Sequence, residues 1–255
     1  MSGRFSGMTA FITGGASGIG KTTALAFAAE GANIAIATSR SIDKAAALAE
    51  EIKSAYGVGA IGLKCDVRVE ADVEAAVAKT VETFGSLDIA FNNAGVGPDG
   101  GVTIPNSEIV DTTEMDWDWV CDVNLKGTFL CLKHELRQMR RQGSGSIVCT
   151  ASTAGLKPMS AFGAYGPSKA GLTILTKSAA LENREYGIRC NVVCPGPTLG
   201  TGMADRLFGP NGEKGGPPRF GKTSDIAATV LWLSDPANSF ITGNVICADG
   251  GLDII

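Results

Sequence analysis

The constraint that most narrows the possible folds of this chain is an alternation along it. Short apolar runs, β-branched or alanine-rich, stand at Thr9 to Thr13, Asn33 to Thr38, Ala60 to Cys65, Leu87 to Asn92, Ser146 to Thr150, Ile188 to Val193 and Asn244 to Ala248. Runs of this length and composition read as strands. Between them lie longer segments with apolar residues at helical spacing, such as Lys44 to Ile52, Val73 to Phe84, Met115 to Arg141 and Ala170 to Glu185. Gly57, Gly85, Gly143 and Gly187 stand where such helices would stop. Several strands are apolar at nearly every position, so neither face can be left to water. They should lie parallel in a central sheet covered by helices on both faces, a doubly wound, Rossmann-type α/β fold of seven strands. At 255 residues and 44% hydrophobic content, the chain can bury one large core or two small ones. It shows no internal repeat or long linker, so 1–255 reads as a single domain. The one shift in composition is 195–221, with five of the ten prolines and eight glycines.

Charge and cysteine usage bound the partners. With 22 Lys plus Arg against 26 Asp plus Glu, the net charge is −4, which gives no reason to expect nucleic acid as a partner. No apolar run of about 18 residues exists to span a bilayer, and the first fifteen residues lack the pattern of a secretory signal. The chain is therefore expected in the cytoplasm. Seven cysteines with no Cys-x-x-Cys, and His134 as the single histidine, argue for reduced packing thiols and no metal site. Cys190 and Cys194, four apart on a strand, should share a face without pairing.

Ligands of doubly wound sheets bind beyond the carboxyl ends of the strands. After the first strand stands Thr13-Gly14-Gly15-Ala16-Ser17-Gly18-Ile19-Gly20, followed by the helical run Lys21 to Glu30. Glycine there permits a tight turn and close backbone approach, and the free N–H groups of a helix start favour an anion, so a pyrophosphate is the natural guest. Tyr165 and Lys169 are four apart and share a helix face; an ammonium beside a phenol lowers its pKa from about 10 and suits it to exchange a proton with a carbonyl or alcohol oxygen. Ser152, after the fifth strand, offers a hydroxyl for a substrate oxygen, with Ser146, Thr150 and Thr153 as competing hydroxyls. Asn124 is a poor helix former inside a helical stretch, suited to satisfying a distorted backbone or a water. The second strand ends in Thr38-Ser39-Arg40, without the acid that would accept hydrogen bonds from a ribose 2′-hydroxyl. Hydroxyls and a guanidinium suit a 2′-phosphate, which favours NADP(H) over NAD(H), although Ser17 is not basic and Asp43 stands nearby.

Thr-Gly-x-x-x-Gly-x-Gly near the start, Asn92-Asn93-Ala94-Gly95, Asn124, Ser152, Tyr165-x-x-x-Lys169 and Pro195-Gly196 stand in one order along nearly the whole chain. In this it resembles the short-chain dehydrogenase/reductase family of the classical type. The resemblance implies an oxidoreductase interconverting a secondary alcohol and a ketone. Tyr165 would carry the proton, Ser152 orient the substrate oxygen, Lys169 tune Tyr165 and hold the cofactor ribose, and Asn124 support a proton relay. It further implies cofactor contacts from Gly14, Ser17, Gly18, Ile19, Gly20, Ser39, Arg40, Asp66 and Val67 at the adenine end. Asn92, Ala94, Gly95, Tyr165, Lys169, Pro195, Gly196 and Thr198 complete that set. The threonine the family carries after Pro-Gly is replaced by Gly200 at its usual offset, with Thr198 and Thr201 nearby.

Three further expectations concern shape. Pro167 is tolerated only in a first helical turn, so the helix should start near Ala164 or Tyr165. The segment 196–221 reads as a flexible lid over a small-molecule substrate, with Met203, Leu207 and Phe208 as an apolar wall. The resemblance implies a homotetramer, which the apolar faces of Leu130 to Leu136 and Leu172 to Leu181 permit. His134 reads as a solvated helix residue. Trp117 and Trp119 cannot share a helix face, and neither reads as part of a cofactor site. Two other readings are a carrier-bound β-ketoacyl reductase, marked by a basic patch with Arg206 and Arg219, and a non-catalytic sensor of nicotinamide dinucleotides.

Overall fold

The structure, a computed structural model, describes residues 3–97 and 107–252. Seven parallel strands form the sheet: β1 (Thr9–Thr13), β2 (Asn33–Thr38), β3 (Ala60–Lys64), β4 (Ile89–Asn92), β5 (Gly145–Thr150), β6 (Ile188–Pro195) and β9 (Val245–Ala248). Their order is β3-β2-β1-β4-β5-β6-β9, so the winding reverses between β1 and β4. All seven expected strands are present, with ends displaced by two residues at most.

The pleat explains why these strands read as continuous apolar runs. On β1, Phe11 enters one core while Ala10 and Ile12 enter the other. On β2, Ala35 and Ala37 face one way and Ile34 and Ile36 the other. The first core is closed by α3 (Glu70–Phe84), α5 (Gly127–Gln142) and α6 (Tyr165–Asn183). The second is closed by α1 (Gly18–Ala29), α2 (Ile42–Tyr56) and α8 (Thr223–Ser234). Cys190 and Cys194 do share the first core, and no disulfide links any of the seven cysteines.

The stop glycines hold: Gly57, Gly85, Gly143 and Gly187 all have positive φ, between 68° and 87°. The segment read as one helix from Met115 to Arg141 departs from expectation. It is α4 (Glu114–Cys121), one π turn (Asp122–Lys126) and then α5. A π turn inserts a residue into the helical ladder and re-aims the side chains within it. Here that side chain is Asn124. The 196–221 segment is also more ordered in form than a loop, since Thr198–Leu199 (β7) pairs with Gly221–Lys222 (β8) and carries α7 (Gly202–Phe208) between them. Among the described residues, no helix is long and apolar enough to cross a membrane, and no group of three or more His, Cys, Asp or Glu is arranged to hold a metal ion.

Candidate active site

At the carboxyl ends of the strands, beside the switch between β1 and β4, lies a cleft of about 760 Å³. Its edge is built by Thr13, the last residue of β1, whose hydroxyl accepts hydrogen bonds from the backbone N–H groups of Asn93 and Ala94, both at 3.1 Å. The Asn93 side chain donates to the carbonyls of Thr13 and Gly14, tying the end of β4 to the glycine turn. Gly14, Ser17, Gly18 and Ile19 line the cleft where α1 begins. Ser17 precedes the helix without a side-chain cap bond, and the first turn carries no acid. That leaves N–H groups of the helix start facing the cleft with no negative charge against them, which fits the pyrophosphate of a dinucleotide. Gly20 does not line the cleft. A Cβ there would stand 2.3 Å from the Gly14 carbonyl, so it permits close packing of helix on turn.

The chemical end of the cleft is assembled from β4, the π turn, β5 and α6. Tyr165 is the first residue of α6, with Pro167 in the first turn as its fixed φ demands. The Tyr165 ring is buried against Phe162, with centroids 5.8 Å apart, and Lys169 Nζ lies 5.7 Å from its centroid. Lys169 Nζ donates to the Thr150 carbonyl at 2.9 Å. Burial pushes the Lys169 ammonium down to about 8, opposed by the nearby thiols of Cys194 and Cys149. Ser152 lines the cleft and its hydroxyl accepts from the Ala154 N–H at 3.2 Å, so it caps a short 3₁₀ turn while facing the cleft.

Asn124 is fully buried and acts as a clip. Its Oδ1 accepts from the Val96 N–H and its Nδ2 donates to the Val96 carbonyl, both at 2.9 Å. Its Nδ2 also donates to Ser168 Oγ at 3.2 Å. A Cβ on Gly95 would stand 3.1 Å from Asn124 Oδ1 and 3.3 Å from Lys169 Nζ, so the lack of a side chain there is what lets these two groups converge.

Several residues expected to contact the cofactor do not line the cleft. Arg40 lines the cleft but Ser39 does not. Asp66 and Val67 do not line it. The Asp66 carboxylate is gripped by Arg68, with Nε at 3.0 Å and a second guanidinium nitrogen at 2.6 Å, and this pairing holds it below the usual carboxylate range. Val67 is packed in the first core. Asn92 turns into that core, where its Nδ2 donates to Glu135 Oε2 at 2.7 Å, while Ala94 and Gly95 line the cleft. Pleat parity separates Asn92 from Asn93, which lines the cleft in its place. His134 is not solvated: it is 5% exposed, with Nε2 3.1 Å from Glu70 Oε1. Trp119, set aside on the sequence, lines the cleft, whereas Trp117 is 43% exposed.

The far wall comes from Pro195, Gly196 and Thr198 and from the 196–221 segment. Met203, Arg206, Leu207 and Phe208 of that segment line the cleft, and Arg219 does not. The hydroxyls of both candidate threonines are engaged, Thr198 with the Gly196 carbonyl and Thr201 with the Thr198 carbonyl. Between them Gly200 has φ +79°, a left-handed conformation that accounts for glycine at that offset.

Comparison with known proteins finds relatives along nearly the whole chain. A family model described as enoyl-(acyl carrier protein) reductase matches residues 14–253. An uncharacterized oxidoreductase of Thermotoga maritima is 41% identical over 256 residues, covering 97% of this chain and 98% of its own. A 3-oxoacyl-[acyl-carrier-protein] reductase of Staphylococcus aureus is 37% identical, covering 96% and 97%. Among solved structures, levodione reductase superposes with a TM-score of 0.86 at 33% identity, covering 98% of this chain and 99% of its own. A short-chain type dehydrogenase/reductase from Mycobacterium ulcerans superposes at 0.89 and 31%, covering 98% and 91%.

Proposed function

Since the chain belongs to the short-chain dehydrogenase/reductase family and is an NAD(P)-dependent oxidoreductase acting on CH–OH and C=O groups, we propose that it interconverts a secondary alcohol and a ketone using NADP(H). A bound nicotinamide dinucleotide supplies or accepts the hydride. The rest is done by four side chains. Tyr165 donates its phenolic proton to the carbonyl oxygen in reduction and takes it back in oxidation. Ser152 hydrogen-bonds that same oxygen and fixes its distance from Tyr165. Lys169 stabilises the phenolate through its nearby charge and holds the ribose. Asn124 clips the Val96 backbone and supports the path by which Tyr165 regains its proton.

The observation that carries this reading is the convergence on one cleft of the Tyr165–Lys169 pair, Ser152 and the open start of α1. Dinucleotide contacts come from Gly14, Ser17, Gly18, Ile19, Arg40, Ala94, Gly95, Pro195, Gly196 and Thr198. The choice of NADP(H) rests on Arg40 at the end of β2, where no acid stands. The substrate is a small carbonyl or alcohol compound held under the Met203–Phe208 wall, with 196–221 acting as a lid that opens and closes. Cytoplasmic placement is supported by the absence of disulfides among seven cysteines. Assembly as a homotetramer is supported by apolar side chains exposed on α5 and α6.

A second reading, reduction of carrier-bound 3-oxoacyl groups, is favoured by Arg206 in the cleft wall and by the Staphylococcus aureus relative. A screen separates the two: cyclic and aryl ketones against a 3-oxoacyl thioester, each with NADPH and with NADH. Oxidation of NADPH by simple ketones supports the first reading. Exclusive use of the thioester supports the second, and faster turnover with NADH removes the NADP(H) assignment.

A further inference from the structure

The α4 tryptophan and two arginines meet at the adenosine end of the cleft, where β2 ends. Arg40 lies with its guanidinium carbon 5.4 Å from the Trp119 ring centroid, and Arg68 with its own at 4.5 Å. Both fall within the range in which a guanidinium is attracted to an indole face. The two cations are not equally compensated. Arg68 makes the two-nitrogen pair with the Asp66 carboxylate and also feels Asp122, whereas Arg40 acts on Asp66 only at longer range and makes no direct ion pair among the described residues. The arrangement therefore holds two guanidiniums around one ring with a single carboxylate paired directly, and the surplus positive charge belongs to Arg40 at the cleft wall. A group bearing a compact negative charge would find a direct partner in Arg40 there.

We infer that Trp119 is a specificity-determining positioning residue, which holds Arg40 against its ring so that the guanidinium meets a phosphate monoester on the 2′-position of the adenosine ribose. This deepens the NADP(H) reading and rests on it. Sequence spacing gave no sign of it, because Trp119 and Arg40 are 79 residues apart and belong to different elements. An unanchored arginine at an exposed strand end samples many rotamers, and ordering it costs free energy on each binding event. The ring removes part of that cost in advance.

The test is calorimetric titration of the whole protein with adenosine 2′,5′-bisphosphate and, separately, with adenosine 5′-monophosphate. It is made on wild type, Trp119→Leu, Trp119→Phe and Arg40→Ala. The expected result is that Trp119→Leu weakens the bisphosphate by roughly three- to thirty-fold, the range of one cation–π contact, while the monophosphate changes by less than about two-fold. Trp119→Phe restores most of the loss, and Arg40→Ala removes the preference for the bisphosphate. An unchanged preference in Trp119→Leu overturns the inference and leaves the NADP(H) reading standing. Equal weakening of both ligands makes Trp119 a wall for the adenine and also overturns it. A wild-type protein that does not distinguish the two ligands removes the NADP(H) reading itself, and the inference with it.

Discussion

Tyr165 leaves α6 one turn before Lys169, and the ammonium beside its ring is what separates it from an ordinary buried phenol. Replacing Tyr165 by Phe keeps the packing against Phe162 and removes only the proton carrier. Turnover should fall below about one percent of wild type, in keeping with loss of general acid catalysis, while NADPH binding followed by fluorescence stays the same. Retained activity of more than a few percent would falsify the assignment. A second residue-scale prediction concerns Glu135, buried in the first core beside Asn92. Loss of solvent pushes its carboxyl up to about 8, partly offset by the bond from Asn92, and the thiols of Cys131, on the same helix, and of Cys65, Cys149 and Cys190, from other parts of the chain, lie around it. The folded state holds this proton where the unfolded chain has lost it. Its stabilising effect is therefore complete below about pH 4.5 and lost as pH rises through about 8. Glu135→Gln keeps the bond from Asn92 without the proton, so its melting temperature should fall less than that of wild type between pH 5 and 8, over which one such group contributes at most about 1.4 kcal/mol per pH unit. Parallel melting curves for the two proteins would rule out a neutral acid at this position. That Tyr165 and Lys169 share a helix face and that Ser152 follows a strand was legible, because helix spacing and strand ends are local properties of the chain; the choice of Ser152 over the neighbouring hydroxyls came from the resemblance. Asn92 and Trp119 were not: pleat parity decides which of two adjacent asparagines faces the cleft, and the partners of Trp119 lie on other elements.

The alternation of strands and helices survived from sequence to structure because both faces of each central strand are buried, so the apolar runs are continuous and hard to mistake. The π turn was not legible as such, because one inserted residue shifts the apolar pattern of so long a helical stretch too little to show; Asn124, a poor helix former, was its only mark, and from within the turn it makes the hydrogen bonds to Val96. Those bonds join α4 and α5 to the end of β4 and thereby set the floor under Gly95. Asn124→Ala removes the clip and strips partners from the Val96 N–H and carbonyl. The expected cost is about 2 to 4 kcal/mol, from lost hydrogen bonds and the backbone groups left without partners. Thermal unfolding should shift downward, and kcat should fall more than ten-fold at temperatures where the variant remains folded. A variant with wild-type melting and wild-type kcat would mean that the π turn is held by packing alone. The 196–221 segment was legible as a break in composition but not in form. Its two-residue pairing between β7 and β8 is too short to leave a pattern, and the Phe208–Phe220 contact at 5.4 Å joins residues on opposite sides of four glycines.

At the scale of the molecule, the unsettled surface is the one carried by α5 and α6. Leu130 and Leu172, expected to face a neighbouring subunit, are spent on the first core. The exposed apolar residues are others: Phe129 at 46%, Ile174 at 63% and Leu181 at 65%. Ile174 and Leu181 are seven apart on α6 and lie along one helix face, while on α5 Phe129 is exposed and Leu136 is partly buried against the first core. The exposed α6 stripe, with Phe129 on the adjacent α5, suits a two-fold contact in which the same pair of helices from a second copy covers it. A second candidate contact lies at the sheet edge, where β9 pairs, among the described residues, only with β6 and Phe240 stands fully exposed nearby. Two different self-complementary contacts of this kind generate a tetramer. Light scattering after gel filtration should then give a mass near four times 26.1 kDa for the wild-type chain. Ile174→Glu combined with Leu181→Glu places charge on the α6 stripe, outside the cleft, and should reduce the particle to a dimer or monomer with NADPH binding preserved. A wild-type particle already monomeric at micromolar concentration would refute this assembly. A tetramer that persists in the double variant would move the contact away from α6.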